Sequence, residues 1–191
     1  MRLFIAVKCS AGVRDNIQRM VRELCARDAA LQKANWVKPE NLHLTLKFLG
    51  EVGEGKVESI GRALMQTAKS FVPFSVTVQG AGAFPRRSRA HLFWAGVQDP
   101  ENKLKSLAAS VEKSCVSAGM APNDKPFAPH ITFARFSTPL LGAGAAKSLE
   151  PHLETAFGEI NVDRFFLIRS ALLPGGATYT DLREFPLLSG S

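Results

Sequence analysis

This chain is short of the residues that staple, chelate or span. Its 191 residues include three cysteines, Cys9, Cys25 and Cys115, far apart and without a Cys-x-x-Cys pair. Odd in number and unclustered, they offer no disulfide framework and fit reduced thiols in a reducing compartment. They also leave a zinc site without its usual ligands, and no carboxylate cluster takes their place. No apolar run approaches the roughly 18 residues that a membrane span needs. The opening run Leu3-Phe4-Ile5-Ala6-Val7 meets Lys8 too soon to form a signal-peptide core. There is no low-complexity segment and no short-period repeat. These absences predict a soluble, cytoplasmic protein that uses no membrane, metal or cofactor. Nothing in the pattern demands a coiled coil or an assembly larger than a monomer.

What is present is apolar residue enough for a core, and positive charge. Hydrophobic residues make up 46% of the chain, and 24 Lys and Arg against 17 Asp and Glu leave a net charge of +7. The length predicts one domain over residues 1–191, or two small lobes sharing a site. The basic balance suits a polyanionic partner such as nucleic acid, and equally suits plain solubility.

Periodicity gives the elements. Leu3 to Val7 reads as a buried strand. Residues 11–32 read as a helix, with Val13, Ile17, Met20, Val21 and Leu24 on one side. Trp36 to Glu40 is a turn and Leu42 to Leu49 a strand, and 55–70 is a helix. Phe74 to Val78 is a strand, Gly80 to Arg89 a Gly/Pro/Arg loop, and His91 to Val97 a strand. Pro100 to Ala118 is a helix, Pro129 to Phe136 a strand, 143–157 a helix, and Ile160 to Ser170 a strand. A Pro-Gly-Gly turn at 174–176 precedes a last strand, Thr178 to Glu184. Strands paired through turns argue for antiparallel sheets in an α+β fold.

The pattern His-x-Thr-x occurs twice, as His43-Leu44-Thr45-Leu46 and His130-Ile131-Thr132-Phe133, about half a chain length apart. Each copy lies in a run that alternates like a strand. Alternation puts His43, Thr45 and Lys47 on one face and Leu44, Leu46 and Phe48 on the other. It likewise separates His130 and Thr132 from Ile131 and Phe133. Each motif then buries its apolar face and presents an imidazole with a hydroxyl. One cleft holding both suits a phosphodiester. One imidazole takes a proton from the attacking oxygen, the other protonates the leaving oxygen, and the hydroxyls bind the non-bridging oxygens. His91 and His152 lack the threonine two residues on, and are expected to be structural or exposed.

These residues resemble the 2H phosphoesterase superfamily. More closely, they resemble its LigT/ThpR-type RNA 2′,3′-cyclic phosphodiesterases, also called 2′-5′ RNA ligases. The resemblance runs from Met1-Arg2-Leu3-Phe4-Ile5-Ala6-Val7 through the block Trp36 to Gly50, then Phe84-Pro85 and Pro129 to Arg135. It ends with Ser170 to Pro174 and on to Tyr179. It implies two similar lobes, each an antiparallel sheet with helices on its outer side, facing across a central cleft. It implies hydrolysis of RNA 2′,3′-cyclic phosphate to 2′-phosphate without metal, with His43 as proton donor and His130 as proton acceptor. Thr45 and Thr132 would bind phosphate. The resemblance adds Arg135 as a phosphate ligand, against strand parity, which groups it with Ile131 unless the strand bulges. Rival readings are a reversible 2′-5′ RNA ligase in the same cleft, and a non-catalytic module that binds RNA ends or nucleotides.

Other substrate contacts are proposed at Lys47 on the motif face, at Arg86 and Arg87 with Arg89 after Phe84, and at Tyr179. Trp94 and Phe48 are expected in the core. Gly50 to Val57 nearly matches a phosphate-binding loop, but Val57 stands where the metal-binding hydroxyl belongs. Gly142-Ala143-Gly144 does not follow a strand, so a dinucleotide fingerprint is not expected there.

Overall fold

Strand β1 (Arg2–Lys8) buries Leu3 to Val7 without interruption, as a strand covered on both faces must. Helix α1 (Ala11–Arg27) starts where the Ser10 hydroxyl accepts from the Val13 amide at 3.4 Å. Its buried residues are Val13, Ile17, Met20, Val21 and Leu24, the stripe that the periodicity predicts. The helix ends earlier than 32, because Asp28 takes an extended backbone and Ala29–Lys33 tightens into a 3-10 turn. This computed structural model describes residues 1–87, 89–141, 147–173 and 176–188.

Then follow β2 (Asn35–Trp36), β3 (His43–Glu51), α2 (Glu54–Ala68), β4 (Phe74–Arg86), β5 (Arg89–Gln98) and α3 (Lys103–Ser117). The chain closes with β6 (His130–Leu141), β7 (Ala156–Val162), β8 (Arg164–Leu173) and β9 (Gly176–Pro186). Three expectations need correction. The Gly80–Arg89 segment is mostly strand: β4 and β5 form one long hairpin that absorbs its irregular residues in two register shifts. The run Ile160–Ser170 is broken at Asp163 into β7 and β8, whose apolar residues look continuous but belong to different pairings. The helix at 143–157 is cut short, since Glu150–His152 is a 3-10 turn and Ala156 already belongs to β7. Gly142-Ala143-Gly144, the rest of that helix's start to 146, and Pro174-Gly175 of the final turn lie outside the described residues.

All registered strand pairs are antiparallel, in the order β7-β4-β5-β6-β3-β1-β8-β9, with β2 on the edge of β6. The path divides in the middle. β6 and β3 meet through one registered pair, Leu44 opposite Ile131. Beyond it β2 takes over that edge of β6, pairing Asn35 with Arg135 and Trp36 with Ala134. Two four-stranded half-sheets therefore hinge on the central residues of the two His-x-Thr motifs.

The helices cover the outer faces. α1 packs on β7, where Asn16 Nδ2 donates to the Phe157 carbonyl at 2.9 Å. α2 and α3 pack on each other and beneath β3, β8 and β9. One large apolar cluster joins these layers across both halves. Burial at ~25 cal/mol per Å² of apolar surface is what holds them together. A second, small cluster of Phe4, Ala6, Phe166 and Ile168, with Tyr179 against it, covers the opposite face of the β1 half-sheet. That face is the floor of the cleft. No helix among the described residues is long and apolar enough to cross a membrane.

Candidate active site

The seam pair Leu44 and Ile131 is fully buried, and it brings His43 and His130 to neighbouring strands. Each imidazole is fixed in the same way. His43 Nδ1 lies 2.6 Å from the carbonyl of Asn41, and His130 Nδ1 lies 2.7 Å from that of Ala128. A carbonyl only accepts, so Nδ1 carries the hydrogen in both rings. Nε2 is left in each to accept or deliver a proton. The Asn41 side chain reaches the other way, donating to the Ala177 carbonyl at 3.0 Å, and so ties the first motif to β9.

Aromatic rings wall both histidines. Tyr179 meets His43 edge-on at 5.4 Å, and Phe4 lies 4.8 Å from the same ring. Phe84 meets His130 edge-on, also at 5.4 Å. His43 lines a hollow of about 200 Å³ with Lys8, Glu40, Asn41, Tyr179 and Asp181. Lys8 closes its rim through an ion pair with Asp181. Burial holds the His43 imidazole below the ordinary histidine value. The bond to Asn41 pulls upward, while the positive charges of Arg135 and His130 push down further. Burial pushes the Tyr179 phenol up, which keeps it an O–H donor at neutral pH.

Both motif strands are bulged at the same place. Along β3 the register against β1 slips so that Leu46 has no partner: Lys47 pairs with Ile5, and Thr45 with Ala6. Along β6 the slip against β5 leaves Phe133 over, with Ala134 opposite Phe93 and Thr132 opposite Trp94. A bulge reverses parity beyond it. His43 and Thr45 thus share the cleft face with Phe48, and His130 and Thr132 share it with Arg135. Arg135 is exposed and close enough to bias both His43 and Tyr179.

Two expectations fall to the first bulge. Lys47 does not face the cleft. It is 1% exposed and bonded on the helix side of the sheet. Phe48 is not a core residue. It is 58% exposed, its ring 6.1 Å from Phe4 on the cleft floor. Thr45 and Thr132 are half-buried beside their histidines. Trp94 is half-buried rather than in the core. Its ring lies so close over Gly82 that a Cβ there would come within 2.2 Å of it. It continues the aromatic wall at 5.4 Å from Phe84. Arg86 and Arg87 stand exposed at the end of the β4–β5 hairpin, beyond Phe84, as does Arg89. His91 is exposed and His152 buried. Lys56 of the near phosphate-binding loop donates to the Gly119 carbonyl at 3.1 Å. Among the described residues no three His, Cys, Asp or Glu side chains gather as a metal set would.

The alternation rule missed Phe48, Phe4 and Asn41. A signal for the bulge in β6 was available, since Phe133-Ala134 places two apolar residues in succession, but Leu44, Leu46 and Phe48 alternate without a break across the bulge in β3.

The family described as LigT like Phosphoesterase matches residues 7–94 and 96–179 of the chain. The chain belongs to this family. The LigT-like chain is 35% identical to an RNA 2′,3′-cyclic phosphodiesterase of Methanothermobacter thermautotrophicus, over 98% of its own length and 99% of that protein's. Its fold resembles a crystal structure from Thermus thermophilus with a TM-score of 0.78 and 30% identity, covering 98% of each chain. It also resembles E. coli LigT complexed with 3′-AMP, with a TM-score of 0.73 and 25% identity over 97% of each chain. LigT-like proteins of this kind are two-lobed, and the two half-sheets here are those lobes.

Proposed function

We propose that this LigT-like chain hydrolyses RNA 2′,3′-cyclic phosphate ends to 2′-phosphate ends. The observation that carries the reading is the paired Nδ1–carbonyl bond, which leaves two Nε2 atoms for proton transfer on either side of the Leu44–Ile131 seam. Water attacks phosphorus and gives a proton to His130 Nε2. The P–O3′ bond breaks, and His43 Nε2 gives its proton to O3′. Thr45, Thr132 and Arg135 bind the non-bridging oxygens, whose charge rises in the transition state. Tyr179 donates its hydroxyl hydrogen to the ribose or the phosphate. Phe48 is an exposed ring on the cleft floor and stacks on the terminal base. Names of relatives support the substrate class: one is called an RNA 2′,3′-cyclic phosphodiesterase, and LigT is complexed with a mononucleotide.

Every residue invoked lies on one chain, so residues 1–191 act as one bilobal unit and a monomer suffices. One imidazole takes the proton of water and the other gives one to O3′, so the step needs no metal. The free thiols Cys9, Cys25 and Cys115 accord with a cytoplasmic site of action. Arg86 and Arg87 take phosphates further along the strand. Activity on a long RNA therefore falls with salt more steeply than activity on a dinucleotide, and Arg86→Ala with Arg87→Ala removes that difference.

The test is purified protein with a short RNA ending in 2′,3′-cyclic phosphate, in excess EDTA, with the two phosphate isomers resolved. A 2′-phosphate product is expected. Joining of two RNA ends without net hydrolysis would favour the ligase reading. Binding without turnover would reduce the cleft to a recognition site.

A further inference from the structure

Lys47 is among the largest of the side chains that the fold buries completely, and the chemistry just described leaves it unused. Lysine is almost never fully buried unless its charge is met. Here its three donors meet three acceptors: Glu112 Oε2 at 2.7 Å, the Ala121 carbonyl at 3.0 Å and Asn123 Oδ1 at 3.2 Å. Glu112 completes the ring, its second oxygen accepting from the Asn123 amide at 2.8 Å. Glu112 lies on α3, while Ala121 and Asn123 lie on the segment that leaves α3 and runs to His130.

That segment has no regular secondary structure between α3 and β6. It carries Pro122, Pro126 and Pro129, each with its φ fixed, and Phe127, packed against the main core. Its far end is the Ala128 carbonyl that holds His130 Nδ1. A fixed start, a proline-stiffened path and an anchored ring leave the segment little freedom. The start is fixed by a residue of the other motif strand, two positions after Thr45.

We propose that Lys47 is a positioning residue: it ties the strand of His43 to the segment that presents His130, and so sets the two imidazoles in register across the cleft. The Leu46 bulge makes this possible, because without it the ammonium would face the cleft. Lys47 touches no substrate, so its loss costs alignment rather than binding. A misplacement of about 1 Å can cost on the order of 100-fold in rate.

The inference rests on the proposed hydrolysis, and its test has one arm that does not. Lys47→Met keeps the shape and removes the charge. In Lys47→Met, kcat for the cyclic-ended RNA is expected to fall at least ~10-fold while KM stays within ~2-fold. Asn123→Ala, at an exposed position, is expected to fold normally and to show a smaller loss of the same kind. It decides the matter where Lys47→Met does not fold. The second arm is NMR of the imidazole nitrogens without substrate. The hydrogen-bonded Nδ1–H signal of His130 is expected to shift or broaden in Asn123→Ala while that of His43 stays. A folded variant with native kcat, a change in KM alone, or an unmoved His130 signal would overturn the positioning role. An inactive parent protein would overturn the hydrolysis instead, and the NMR arm would still read the alignment.

Discussion

The two halves of the cleft share a backbone and differ in what they hang on it. Both motif strands run His-x-Thr, bulge at the next residue and return a third side chain to the cleft. In the first half that side chain is Phe48, and in the second it is Arg135. The residue before it turns away in both halves, as the buried Lys47 and the buried Ala134. The His43 half is enclosed by Phe4 and Tyr179, while His130 has Phe84 at its edge and is the more open. Repeated geometry places two rings in one manner, and their neighbours are unlike. One half offers an exposed aromatic ring, the other a guanidinium.

The largest test of this pairing is removal of either ring. His43→Ala and His130→Ala should each lose at least ~10²-fold in turnover with an unchanged circular dichroism spectrum. Full activity in one of them would mean that the halves are not partners. Next in size is the cation: Arg135→Ala should lower kcat/KM by about 10- to 100-fold. Arg135→Lys should recover little of it, because an ammonium lacks the planar two-pronged donor. Phe48→Ala should cost about tenfold, mostly in KM for substrates with a base, consistent with ~1–3 kcal/mol per stacked base. An equal loss on an abasic cyclic phosphate would show that Phe48 only fills space.

The smallest effect is a displacement along the pH axis, and it distinguishes the two histidines. A proton donor must begin protonated. Burial holds His43 below the ordinary histidine value, so kcat/KM should fall as pH rises through that lowered value. A bound phosphate anion favours the imidazolium, so the alkaline limb of kcat should lie at higher pH than that of kcat/KM. Arg135→Ala removes one of the influences that lower His43, and its alkaline limb in kcat/KM should move up. Were His43 the acceptor, the lowered value would appear as the acid limb and activity would persist to lower pH. Both limbs belong to the coupled pair, so it is their direction of movement that carries the assignment.

Most of the strands (though not the short β2), the helices α1 to α3 and the two motifs were legible because burial leaves a period in the sequence, 2 for strands and 3.6 for helices. The apolar stripe of α1 is such a case. The break at Asp163 was not legible, since neither glycine nor proline marks it and apolar residues resume at Phe165. The strand content of Gly80–Arg89 was hidden for the opposite reason. Its glycines and its proline read as a loop, yet Gly82 is there to let Trp94 lie across the sheet.

Sequence alone singled out the residues proposed for the chemistry, two imidazoles and two hydroxyls at matched spacing. The tertiary structure decided which neighbours join them. The unpaired residue that follows each motif, Leu46 or Phe133, reversed the alternation. It sent Lys47 into the protein and brought Phe48 and Arg135 into the cleft. Register is a property of two strands together, so a bulge depends on the partner as much as on the strand that carries it.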